Sequence, residues 1–246
     1  MSLKKVTLLK EKIESYAEYP FNIPVIKNFK DLEFKNNVTF FVGENGSGKS
    51  TLLESIAVSC GFNISGGGKD NFYPDITDDT ILSLYLGLSW LPKVTKGFFL
   101  RAESFYNFAT YLDKLKDEDE SGADVYKPYG GISLHKQSHG ESFLSLFNNR
   151  FKGRALYLLD EPEAALSPAR QLGLLKIIHD LSTKNNAQFI IATHSPILLG
   201  YPEATILNFD GEEIEGIKYE ETDHYNITKY FLENRKGMLN QLFRDD

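Results

Sequence analysis

Residues 43–50 read Gly-Glu-Asn-Gly-Ser-Gly-Lys-Ser. They stand between 38–42 (Val-Thr-Phe-Phe-Val), a continuous apolar run of strand length, and 51–57 (Thr-Leu-Leu-Glu-Ser-Ile-Ala), where apolar residues recur at helical spacing. Strand, glycine loop and helix in direct succession restrict what the chain can build. Glycines let the backbone turn so that several N–H groups point inward, and a helix beginning near Ser50 adds its positive end. The spacing Gly43-x4-Gly48-Lys49-Ser50 therefore predicts a phosphate site. Gly43, Glu44, Asn45, Gly46, Ser47, Gly48, Lys49, Ser50 and Thr51 are the residues expected around the nucleotide. Lys49 is expected to reach the β- and γ-phosphates, and the Ser50 hydroxyl to ligate Mg²⁺.

A Mg²⁺ ion bridging two phosphates needs a nearby carboxylate, and an attacking water must be held in place. Residues 155–159 (Ala-Leu-Tyr-Leu-Leu) form a second apolar run and stop at Asp160-Glu161. These acids emerge at a strand's carboxyl end, the edge where open α/β sheets bind ligands. Asp160 is assigned to the Mg²⁺ shell and Glu161 to polarising the water, which makes ATP and Mg²⁺ the expected cofactors.

The remaining pattern alternates strand and helix. Short apolar strands are expected at 97–101 and 188–193, and helices at 104–115, 141–151 and 172–181. Segments 204–209 and 212–219 flank Asp210-Gly211, which predicts a hairpin, and 226–243 reads as a terminal helix. Segments 61–80, with Gly66-Gly67-Gly68, and 117–131 are expected as mobile loops within one domain spanning 1–246. The balance of 27 Lys and Arg against 34 Asp and Glu, a formal charge of −7, opposes a uniformly basic surface for coating nucleic acid. A small basic cluster, Arg150, Lys152 and Arg154, is explained by helix-end electrostatics. Cys60 is the single cysteine, so no intrachain disulfide forms and a cytoplasmic location is expected. No apolar stretch approaches the roughly 20 residues that cross a bilayer. His135 and His139 stand four apart without a third ligand at suitable spacing, so no zinc site is expected.

Together these residues resemble the ATP-binding-cassette (ABC) ATPases over about 20–219. The resemblance implies an α/β P-loop NTPase fold with a mostly parallel central sheet, N-terminal β elements and a C-terminal hairpin plus helix. Gln137-Ser138-His139-Gly140-Glu141 corresponds to the family signature: Ser138 and Gly140 match, whereas His139 and Glu141 depart from its commonest form. Ser138 and Glu141 also satisfy a helix capping box. Asp160-Glu161-Pro162-Glu163-Ala164-Ala165-Leu166-Ser167-Pro168 resembles the acidic motif and the D-loop, and Thr193-His194-Ser195-Pro196 the switch-histidine segment, which gives His194 a γ-phosphate role. The form of both motifs is similar to the soluble RecF, SMC-like and overcoming-lysogenisation-defect branch. The Q-loop glutamine has no match; Glu103 is the nearest position and becomes a metal-side candidate. Tyr19, Phe21 and Phe29 are available to stack on adenine. Lys49, Glu161 and His194 are thus the catalytic set, with Ser50, Asp160 and Glu103 at the metal.

The resemblance further implies a head-to-tail homodimer with ATP between the phosphate loop of one copy and Ser138 and Gly140 of the other. Residues 51–137 carry no extended heptads for coiled-coil arms, and 52 residues after His194 are too few for an appended nuclease. The expectation is an ATP-driven switch acting on a separate effector, possible settings being DNA maintenance or defence. Its rivals are the nucleotide-binding subunit of a membrane transporter and an ATP-binding module with little turnover.

Overall fold

The apolar runs on either side of the glycine loop belong to one sheet. The computed structural model describes residues 2–64, 78–118, 125–136, 139–150 and 153–244. The chain opens with β1 (Leu3–Leu8), the short helix α1 (Pro24–Asn28) and β2 (Asp31–Glu33), then enters β3 (Val38–Val42), the loop and α2 (Lys49–Ser59). β4 (Leu86–Trp90), β5 (Gly97–Arg101), α3 (Phe105–Glu118), α4 (His139–Arg150), β6 (Leu156–Asp160) and α5 (Pro168–Lys184) follow. The last third holds β7 (Gln188–Ala192), α6 (Pro196–Leu199), β8 (Thr205–Asn208), β9 (Glu215–Ile217), α7 (Asp223–Glu233) and α8 (Arg235–Leu242).

Among the described residues six strands form the main sheet in the order β5-β6-β7-β3-β8-β9, parallel from β5 to β8, with β9 antiparallel at the edge. Its inner strands are apolar throughout because both faces are covered. Alternate side chains divide between two cores, as the two-residue period of a strand requires. Phe98, Leu100, Tyr157, Leu159, Phe189, Ile191, Val38 and Phe40 face α3, α4 and α5. Phe99, Leu156, Leu158, Ile190, Ala192 and Phe41 face α2 and a second, antiparallel sheet of order β2-β1-β4. The loop-bearing unit β3–α2 is therefore clamped on its sheet by a covering layer on each side. Among the described residues no helix is long and apolar enough to cross a membrane.

Several elements differ in extent from the sequence pattern. Helix α3 runs on to Glu118, a 3-10 helix occupies Asp78–Tyr85 and another Lys127–Tyr129, so parts of the segments read as loops are regular structure. Residues 65–77, with the triple glycine, and 119–124 lie outside the described residues. The hairpin forms, but its strands are shorter than the apolar pattern suggests, with Ile206 opposite Ile217. Asp210 does not serve a two-residue turn; its Oδ1 accepts the Glu44 N–H at 2.6 Å, which draws the turn toward the glycine loop. The terminal helix is two helices, because Asn234 leaves helical geometry at φ −130° and ψ 39°. Helix α7 also starts earlier than expected, where the Thr222 hydroxyl accepts the Tyr225 N–H.

At Gly97, on the edge strand β5, a Cβ would collide with the Leu156 carbonyl oxygen and with the Phe62 ring. Neither obstacle is the free end of a flexible side chain. Gly97→Ala is expected to cost about 1–3 kcal/mol of stability, as overpacking does, read as a lower urea midpoint at unchanged m value.

Candidate nucleotide site

Carboxyl ends of adjacent strands gather the polar residues. Arg101 of β5 lies level with Asp160 of β6, and Asp160 with Ala192 of β7. Ala192 in turn lies level with Phe41 of β3, two residues before Gly43. The glycines of the loop take backbone geometries that side chains rarely adopt: φ is +142° at Gly43, +83° at Gly46 and +99° at Gly48. Gly48 begins α2 with Ile23 and Val25 packed where its Cβ would stand. The ends of Glu44, Asn45 and Gly46 are exposed, whereas Lys49 is only 4% exposed. Its Nζ donates to the carbonyls of Gly43 at 2.6 Å and Glu44 at 2.8 Å, so the lysine folds back over the loop. Burial pushes Lys49 below the ordinary lysine range, against the opposing pull of Asp210, Glu161, Asp160 and Glu44.

Ser50 and Asp160 meet directly: the Ser50 hydroxyl donates to Asp160 Oδ1 at 3.0 Å. Asp160 is 1% exposed, and burial pushes it up to about 7, although Arg101 and Ser50 favour its charged form. A buried carboxylate of this kind, paired with a hydroxyl at a loop whose backbone turns inward, suits a hard cation that takes oxygen ligands. Among the described residues no three His, Cys, Asp or Glu side chains cluster to hold a metal, so Ser50 and Asp160 would share the ion with nucleotide oxygens. Glu161 follows at φ 47° and ψ 51°, a left-handed geometry costing roughly 1–2 kcal/mol in a residue with a side chain. Its N–H donates to the Ala192 carbonyl at 2.9 Å, which anchors the strained turn to β7. Such strain turns the carboxylate out of the β6 register and leaves it partly exposed at the sheet edge.

His194 stands beyond β7, with Nε2 3.7 Å from Glu161 Oε1. Its backbone N–H donates to Glu163 Oε1 at 2.6 Å, and burial holds Glu163 above the usual carboxylate range despite that bond. Ser195 caps α6 by accepting from the Ile197 and Leu198 N–H groups, and its hydroxyl donates to Gln171 of α5. The other ring nitrogen of His194, Nδ1, lies 2.9 Å from His224 Nε2 at the start of α7.

The loop residues, Asp160, Glu161 and His194 thus come together as read from the sequence. Glu103 does not reach Ser50 or Asp160. It is exposed and paired with Arg101 Nη2 at 3.2 Å, while Arg101 also bonds Glu54 at 2.5 Å and places Nε 3.5 Å from Asp160. Gly140 opens α4 on the other face of the sheet, where Arg170 of α5 lies across it; Ser138 is outside the described residues. Of the three aromatics, Phe21 and Phe29 are core, whereas Tyr19 is 50% exposed and its hydroxyl lies 3.1 Å from Thr51 Oγ1. Sequence reading gave no site role to Arg101, Glu163, Asp210 or His224. Glu163 lay inside a quoted motif, and Arg101 ended a predicted strand beside Glu103. His224 carried no local pattern at all.

Residues 12–122 match a family profile described as an AAA domain. Residues 143–200 match a second AAA-domain profile, whose description also carries the names AbiEii toxin and type IV TA system. The "Probable branched-chain amino acid transport ATP-binding protein LivF" of Archaeoglobus fulgidus is 32% identical over 146 residues, 54% of this chain and 60% of its own length. The xylose import ATP-binding protein XylG of Moorella thermoacetica is 26% identical over 239 residues, 89% of this chain and 46% of its own. The chain therefore spans about half the length of these relatives. A solved ATP-binding cassette of an ABC transporter covers 97% of this chain, and the chain 98% of it, with TM-score 0.50 and 15% identity, a likeness of fold. By motif order, strand-end geometry and these matches the chain is similar to ABC-type ATPases and has their P-loop NTPase fold.

Proposed function

We propose that this chain binds Mg·ATP at residues 43–51 and hydrolyses it, using Glu161 to polarise the attacking water and His194 to contact the γ-phosphate. The observation that carries the reading is the 3.0 Å bond between Ser50 and Asp160, which joins the phosphate loop to the acidic strand end. In this reading Lys49 turns from the loop carbonyls to the β- and γ-phosphates, and the backbone N–H groups take the remaining oxygens. Ser50 and Asp160 hold the Mg²⁺, which neutralises charge on the phosphates. Glu103 is left in an outer position, behind Arg101. Tyr19, exposed and held near Thr51, is the aromatic that fits an adenine ring. A head-to-tail second copy supplies Ser138 and Gly140 to the same nucleotide, so that ATP favours the closed pair by mass action.

Motion made by hydrolysis passes to a separate partner. LivF and XylG, by name a transport and an import ATP-binding protein, favour a membrane-embedded transport subunit in that place. An effector in DNA maintenance or defence rests on the form of the acidic and histidine motifs, and on the toxin name attached to the second profile. The two differ in what the ATP-locked protein accompanies: detergent-extractable membrane protein in the first case, DNA in a salt-sensitive gel shift in the second.

Glu161→Gln is expected to keep ATP binding and to lose turnover by about 10²-fold or more, the usual contribution of a positioned base. Phosphate release at the unaltered rate would remove Glu161 from its role. Light scattering of this variant with Mg·ATP is expected to give the mass of two chains. Tyr19→Ala is expected to raise KM for ATP by roughly 5- to 150-fold with little change in kcat, since base stacking of about 1–3 kcal/mol is lost equally from ground and transition states.

A further inference from the structure

The hydrogen bond between His194 Nδ1 and His224 Nε2, 2.9 Å long, contains one proton, and its origin decides what the opposite edge of His194 presents. If His194 donated from Nδ1, its Nε2 would carry a bare lone pair facing the Glu161 carboxylate 3.7 Å away, an arrangement of two acceptors. If His224 donates from Nε2, the His194 proton sits on Nε2 and faces Glu161 as a donor. Geometry selects the second arrangement. Among the described residues His194 Nε2 has no hydrogen-bond partner, so its N–H is uncommitted within the protein.

His224 is held where this bond requires it. Thr222, 1% exposed, caps α7 and donates to the Tyr219 carbonyl at 2.7 Å, and the Tyr219 hydroxyl donates to the Pro196 carbonyl at 2.9 Å, directly after the His194 segment. Burial, with His194 and Lys49 nearby, keeps His224 below the ordinary histidine range, in the neutral form with a single ring proton. Asp210 and Glu44 pull the other way, favouring its charged form, and are outweighed.

We propose that His224 is a positioning residue: its Nε2–H holds His194 in the tautomer that carries the proton on Nε2, ready to donate to the γ-phosphate. The inference rests on the γ-phosphate role given to His194. A ring nitrogen without a proton would repel phosphate oxygens, so the tautomer governs transition-state stabilisation more than ATP binding.

Steady-state ATP hydrolysis and ¹⁵N NMR of histidine-labelled protein test it together. Wild type is expected to show His194 protonated on Nε2. His224→Phe, which removes the donor, is expected to lower kcat roughly tenfold at nearly unchanged KM and to shift His194 toward the Nδ1–H form. His224→Gln, whose amide N–H can stand where Nε2 does, is expected to restore both readings. An Nδ1–H tautomer in wild type, or a His224→Phe protein with wild-type turnover and tautomer, overturns the proposal. His194→Ala separates it from its foundation: turnover lost there but unmoved in His224→Phe removes only the positioning role, whereas wild-type turnover in His194→Ala removes the γ-phosphate reading and the proposal with it. Should His224→Phe fail to fold, the wild-type tautomer and the His224→Gln kinetics still decide.

Discussion

Parallel pairing of β5, β6, β7, β3 and β8 sets five strand ends along one edge of the sheet, and the polar groups of the site are hung from that edge. Parallel register leaves little freedom, since a slip of one residue would exchange the two apolar faces and bury the wrong side chains. With Phe40 held between Ile191 and Ile206, the positions of Gly43, His194 and Asp210 relative to one another follow. Asp160 and Arg101 are fixed in the same way through β6 and β5. The groups of the site that grow from strands are thus placed by register.

That edge also concentrates charge in a place with little water. Lys49 and Asp160 are removed from solvent, and each is held by bonds to groups of the loop and the strand end. Arg101 is the hub of this exchange, shared among Glu54, Glu103 and Asp160. Burial opposes its charge, and the surrounding carboxylates outweigh burial and raise its pKa. A nucleotide carrying several negative oxygens enters a set of groups already balanced against one another, so its binding must redistribute those bonds.

What could be read in advance is what depends on neighbours in sequence. Gly43 to Ser50 and Asp160-Glu161 declare themselves because a glycine turn and a strand end are local events, whereas His194 was read from the family resemblance of Thr193-His194-Ser195-Pro196. The apolar strands were legible for the same reason, being covered on both faces. The three-residue strand β2 was not, since its exposed Asp31 and Glu33 flank a lone buried Leu32. Arg101, Asp210 and His224 owe their importance to where the fold carries them. Asp210 looked like ordinary turn chemistry, and only the approach of β8 to β3 turns its carboxylate onto Glu44. The signature helix was placed correctly by its apolar spacing, while Ser138 itself lies outside the described residues.

The bond from His194 to His224 also ties the first turn of α7 to the segment that follows β7. Helix α7 runs nine residues on from His224, so its axis extends about 14 Å from that point. A tilt of about 10° at the histidine would swing the far end by about 2 Å at the helical rise of 1.5 Å per residue. Leu232, near that far end, and Leu242 and Phe243, at the end of α8, are all more than two-thirds exposed. A change at the His194–His224 bond that tilted the helix would therefore be delivered, as a displacement of about 2 Å, to an apolar tip.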